Sequence, residues 1–182
     1  MTQQLQLAPI SASIDNPGDW DTIAGQVTHE TGLPLTAGPD ELLAMVGSAI
    51  PLLVAAQAAG DASVLRGTFA DPVVAQCQRN RAALLTGTPD TALVHLVGAR
   101  TVGGRPVLRV HVVVHGADGT GTPTVDRQFW DIQLGGDVTM GQQVCPNCGA
   151  PVDPGELVCG HCRSDVRTTV EVPLLVTRLE LY

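Results

Sequence analysis

At 182 residues, with 44% hydrophobic and 15% charged side chains, the chain is long and apolar enough to bury a sizeable core, which excludes a wholly disordered polypeptide. Its net charge is −8 and all ten basic residues are arginine. Residues 1–65 carry seven acids and no base, while the remainder sets eleven acids against ten arginines, which excludes a basic nucleic-acid tail and charge-driven binding to anionic lipid.

In chain order, residues 1–38 read as an extended arm, because Pro9, Pro17-Gly18, Gly32, Pro34 and Gly38-Pro39 punctuate it too often for a long helix. Trp20 and Ile23 are its candidate anchors. Residues 39–60 form a second unit. Pro39-Asp40-Glu41 is a helix entry with acids at the positive end of the dipole, and Gly60-Asp61 is a stop. Between them Leu42 to Ala59 carries no charge, so this helix must be covered on most faces. Three coverings are open: a bundle of copies, the chain's own domain, or a membrane. The leading expectation is an oligomerisation or membrane-proximal helix, with Leu42, Leu43, Val46, Ile50, Leu53 and Val54 as its contact residues and a homo-oligomer as the product. Gly47, Ser48, Pro51 and Gln57 weaken the membrane option.

Residues 61–182 form the third unit. A helix is expected over Ala62 to Leu85, with Asp71-Pro72 as a candidate break and Cys77 as a small buried residue. Strands follow at Ala92 to Val102, Pro106 to His115, Val125 to Leu134 and Thr168 to Tyr182. Gly103-Gly104 suits a two-residue hairpin turn. Leu108, Val110, Val112 and Val114 alternate to one face, and Arg109, His111 and His115 to the other. Trp130, Ile132 and Leu134 share a face on the third strand.

Between the third and last strands, over residues 143–166, stand Cys145-Pro146-Asn147-Cys148 and Cys159-Gly160-His161-Cys162. Each C-x-x-C pair aims two thiolates at one point, and two such knuckles complete a tetrahedral four-cysteine site. Cys145, Cys148, Cys159 and Cys162 are therefore the expected ligands of a structural Zn2+, with iron as the second metal the donor set admits. Asp153-Pro154-Gly155 marks the turn of the intervening loop, and His161 reads as a solvent-facing knuckle residue. Cysteines paired in this way, in a chain whose first residues lack a charged and then apolar leader pattern, point to a reducing compartment. The expected location is the cytoplasm, with the inner face of the cell membrane as an alternative. His95, His111 and His115 lie on neighbouring strands and are read as separate residues of a sheet face. No Ser/His/Asp set, phosphate-cradling loop or paired-carboxylate pattern stands out, so the chain is expected not to be an enzyme.

The expected fold class is α+β: N-terminal helices, then a curved antiparallel sheet with an inserted four-cysteine zinc ribbon. This plan, with Asp126-Arg127-Gln128-Phe129-Trp130-Asp131-Ile132-Gln133 ahead of Cys145-Pro146-Asn147-Cys148-Gly149-Ala150-Pro151, resembles bacterial relatives of the mitochondrial inner-membrane translocase tether over about residues 60–182. The resemblance implies a cone of the nuclear-transport-factor type with an apolar cavity, and a tethering role. An acidic arm and an uncharged helix replace that family's basic membrane-binding segment. The whole-chain plan also resembles scaffold subunits of bacterial high-affinity uptake nickel–iron hydrogenases. That resemblance implies a larger respiratory complex as partner and an apolar tube that admits quinone. The expected function is thus a non-enzymatic scaffold. A carrier of lipid or menaquinone and a rubredoxin-like electron carrier are the alternatives, and no nucleic-acid partner is expected.

Overall fold

The computed structural model describes residues 7–32, 34–35, 37–80, 84–153 and 155–182. Among them the chain runs β1 (Ser11–Ile14), α1 (Asp19–Thr31), α2 (Pro39–Ala59), a 3-10 turn at Ala62–Leu65, α3 (Asp71–Arg79), β2 (Thr88–Val102), β3 (Arg105–Ala117), β4 (Pro123–Gly141) and β5 (Arg167–Leu181). The strands form one open sheet in the order β1-β2-β3-β4-β5. The architecture is α+β, as the strand and helix patterns imply. β2 to β5 form an antiparallel meander, and β1 adds a parallel edge strand by pairing Ser11–Ile14 with Thr91–Val94.

The helices share one face of this sheet. Alternation along the strands aims Val94, Val110, Val112, Trp130, Ile132 and Val176 at them, and each is fully buried. Phe69 meets Trp130 edge to face at 5.8 Å. Trp130 donates its indole N–H to the Gln128 side-chain oxygen (2.8 Å), and the Gln128 side-chain amide donates to the Leu84 carbonyl (2.8 Å), so these two buried side chains are partnered. Between helices and sheet the described residues form one continuous hydrophobic cluster, in the region where the resemblance implies an apolar cavity.

Residues 1–38 are not simply an extended arm. They contain β1 and the 13-residue helix α1. The punctuating residues bound this helix and do not interrupt it: Pro17-Gly18 precedes it, and Gly32 ends it in the left-handed conformation (φ 69°). Trp20, Ile23 and Val27, spaced along one face, are buried, and Trp20 and Ile23 join the hydrophobic core, so the expected anchors do anchor the segment. The expected helix over Ala62 to Leu85 is likewise two elements. Asp71-Pro72 opens α3, where the missing proline N–H costs nothing. Residues 81–83 of that expected helix lie outside the described residues. The strands run longer than expected, and β4 continues through Gly135-Gly136 to Gly141.

Helix α2 is long and apolar enough to cross a membrane by length and composition, yet it is a core element of this domain. Leu42, Val46, Ile50 and Leu53 are fully buried in the chain's own core, and Leu43 and Val54 pack partly buried against it. Four of the six expected oligomer contacts are thus buried within one chain, and the other two keep part of their surface open. Gly47 and Pro51 show how. Pro51 lacks an N–H, so the Gly47 carbonyl has no helical donor. That carbonyl accepts the Ile10 amide instead (3.0 Å). A Cβ at Gly47 would stand 2.5 Å from the Ile10 carbonyl oxygen, so only glycine lets the N-terminal segment lie against the helix.

Candidate metal centre

The four cysteines sit in an insertion between β4 and β5, built from two knuckles of matching geometry. In the first, the Cys145 amide donates to the Ala150 carbonyl (2.8 Å) and the Gly149 amide to the Cys145 carbonyl (2.9 Å). In the second, the Cys159 amide donates to the Ser164 carbonyl (2.9 Å) and the Arg163 amide to the Cys159 carbonyl (3.0 Å). The residue after each second cysteine is left-handed: Gly149 at φ 72° and Arg163 at φ 63°. Arg163 is the one non-glycine residue with positive φ among those described. It follows that the turn chemistry, and not the residue type, sets this conformation in the second knuckle.

The sulfurs converge. All four ligand atoms lie within 4.8 Å of one another. Cys145 Sγ is 3.5 Å from Cys162 Sγ, and Cys148 Sγ is 3.7 Å from Cys159 Sγ. Metal–sulfur bonds of ~2.3 Å in a tetrahedron place sulfurs about 3.8 Å apart, so this donor set fits one metal ion. Thiolates of this kind suit zinc or iron. His161 is exposed and stands outside the cluster.

The knuckles also prepare the thiolates. Hydrogen bonds from the Ser164 side chain and amide, with Asn147, hold Cys162 down at about 5. The Cys162 and His161 amides lower Cys159. The Ala150 amide acts in the same direction on Cys148, but the sulfurs crowded around it and local desolvation outweigh that and push it up to about 12. A cation at the centre would relieve that mutual repulsion. Ser164 and Asn147 escape the sequence reading, although each lies within two residues of a ligand. Cys77, by contrast, is buried on α3, and burial raises its thiol to about 11, as for an inert core cysteine.

The ribbon is seated on the body. The Gln142 amide, just past the end of β4, donates to the Val166 carbonyl (2.8 Å) and closes the neck of the insertion. A Cβ at Gly155 would meet the Ser63 carbonyl oxygen at 2.6 Å, so the ribbon's loop lies directly on the 3-10 turn. A cleft of about 580 Å³ runs along this seam, with Arg66, Asp71 and Gln78 on the body side, Leu157 on the ribbon and Arg167 at the start of β5. A second, of about 230 Å³, adjoins it at Phe69 and Val138.

The three strand histidines do not form a site together. His95 faces His111 across the β2–β3 ladder, but its Nδ1 engages Asp15 at 2.8 Å. His111 stacks on Phe129 (4.7 Å), and burial, then the charges of His95 and Arg127, lower its pKa against a smaller opposing pull from Asp15. His115 is exposed near the end of β3. Around them the sheet face opposite the helices carries an ion-pair lattice at which the alternation of Arg109 and His111 only hints. Asp131, with its side chain 1% exposed, accepts from Arg100 (2.7 Å) and Arg109 (2.9 Å), and Arg109 also donates to Glu180 (2.6 Å).

No family model, curated protein or solved structure matches this chain.

Proposed function

We propose that this chain is a non-enzymatic scaffold domain. Its ribbon is stapled by one structural Zn2+ on Cys145, Cys148, Cys159 and Cys162, and its body holds a larger protein complex. The observation that carries this reading is the closed set of four converging thiolates. Four sulfurs fill the coordination of zinc and leave no position for water or substrate, so the metal organises structure and does no chemistry on a ligand. The partner class proposed is a respiratory assembly of the nickel–iron hydrogenase type at the inner face of the membrane.

The test is metal analysis of the chain purified from its host without added metal, together with the mass of the particle that carries it. One zinc per chain, no visible absorption and a particle well above 18.9 kDa are expected. Charge-transfer bands of an iron tetrathiolate would replace the staple with an electron carrier. A metal-free, lone chain would overturn the scaffold.

A further inference from the structure

We propose that the sheet face opposite the helices docks an acidic segment of a partner protein. The described helices all pack on the other face, so Arg100, Arg109, Arg127 and Arg178 stand on an open surface. They are four of the chain's ten arginines, gathered around Asp15, Asp131 and Glu180, with the Arg105–Asp137 pair at the far end of β3, in a protein of net charge −8. This face is therefore the basic exception on an acidic molecule.

The carboxylates on the face are already engaged from within. Asp131 is covered by Arg100 and Arg109, Glu180 accepts from Arg109 and Arg178, and Asp15 engages His95. The arginines are not used up by this. A guanidinium carries five N–H donors in a planar fork. Arg100 and Arg178 each direct one nitrogen at an internal carboxylate, and their side chains remain 56% exposed. The surplus on this face is thus of fixed donors, and their complement is a set of carboxylates brought from outside.

The donors are also pre-positioned. Arg109 lies over the Phe129 ring at 5.1 Å, and Phe129 meets Tyr182 edge to face at 5.4 Å, leaving Tyr182 83% exposed. Held arginines beside exposed tyrosine form the anchor chemistry of protein interfaces, and holding them in advance reduces the ordering cost of binding. The same contacts narrow the room for single-stranded nucleic acid to the Tyr182 ring. Phe129 is already covered by His111 and Arg109, which leaves it little open ring face for a base to stack on.

The proposal rests on the scaffold reading, yet the two fail separately: a zinc-loaded chain that ignores the probe loses only the docking face. The experiment is fluorescence anisotropy with a labelled glutamate-rich peptide interrupted by leucines, titrated with the full-length chain. Binding that weakens with salt is expected, with a loss of about tenfold or more in Arg127→Glu and Arg178→Glu. Arg79→Glu, the same charge change on α3, should leave it unaltered. Melting curves confirm that the variants fold, and Tyr182→Ala offers a second, charge-neutral route to the same loss. No binding, or equal loss in Arg79→Glu, overturns the proposal. Binding of oligo-dT or of phosphatidylglycerol vesicles, abolished by the same variants in place of peptide binding, also overturns it and gives the face to phosphate.

Discussion

Among the described residues, the body of the domain gathers thirty buried ones into one hydrophobic cluster, whereas the ribbon gathers three, Cys145, Cys159 and Val166, two of which are candidate metal ligands. The body holds together by removing apolar surface from water along the whole length of a sheet. Some two dozen ribbon residues cannot do this, and they offer four thiolates in its place. The two regions meet at the Gln142–Val166 neck and the Gly155–Ser63 contact, so each should keep its own source of stability while sharing a boundary.

Removing metal is the most severe way to break that comparison. Binding free energies of structural zinc sites run to about 10–16 kcal/mol, and nothing else in the ribbon approaches this. After chelation, hydrogen exchange should show the amides of Cys145, Gly149, Cys159 and Arg163 losing protection. The amides of Val110 and Val112 in β3, hydrogen-bonded between two strands, should keep theirs. Simultaneous loss in both regions would mean that the ribbon is part of the body's cooperative unit.

The converse is a cut in the apolar core. Leu53→Ala removes a fully buried side chain from the middle of α2 and should lower the stability of the body by about 3 kcal/mol. Zinc stoichiometry, measured on the folded variant, should stay at one. A measured loss below ~0.5 kcal/mol would show that α2 is not seated against the sheet as described, and would reopen an intermolecular role for its apolar face.

How much of each region can be read in advance follows the same division. The ribbon is legible almost completely because its chemistry is local: two C-x-x-C pairs and a turn specify the site without reference to the rest of the chain. Helix α2 is legible as an element, and its uniform apolar character says that most of its surface is covered. What covers it is not legible, because that depends on β1 and the sheet. The Gly47-Pro51 pair, which looks like a flaw in the helix, is the place where Ile10 docks. Helix α1 is hidden because the proline and glycine at its ends read as interruptions, although none falls between Trp20 and Val27 except Gly25. On the open face, alternation points Arg109 and His111 outward. The pairing of Arg100 with Asp131 depends on the register shift between Leu96 and Gly98, which no local pattern announces.

The smallest expected effect lies inside the ribbon, between its two knuckles. They share hydrogen bonds and backbone shape, yet one has glycine and the other arginine at the left-handed position. An L side chain there costs roughly 1 kcal/mol. Gly149 has no neighbour within reach of an added Cβ, so Gly149→Ala tests the backbone penalty alone. It should weaken metal retention by about 1 kcal/mol, or roughly fivefold in a chelator competition. Arg163→Gly should act in the opposite direction. The gain should be smaller, a few tenths of a kcal/mol, because glycine also frees the unfolded chain and offsets part of the relief. If Arg163→Gly loosened the metal instead, the arginine side chain would be contributing to the second knuckle more than its backbone conformation costs. The two knuckles would then be alike in shape but not in what holds them.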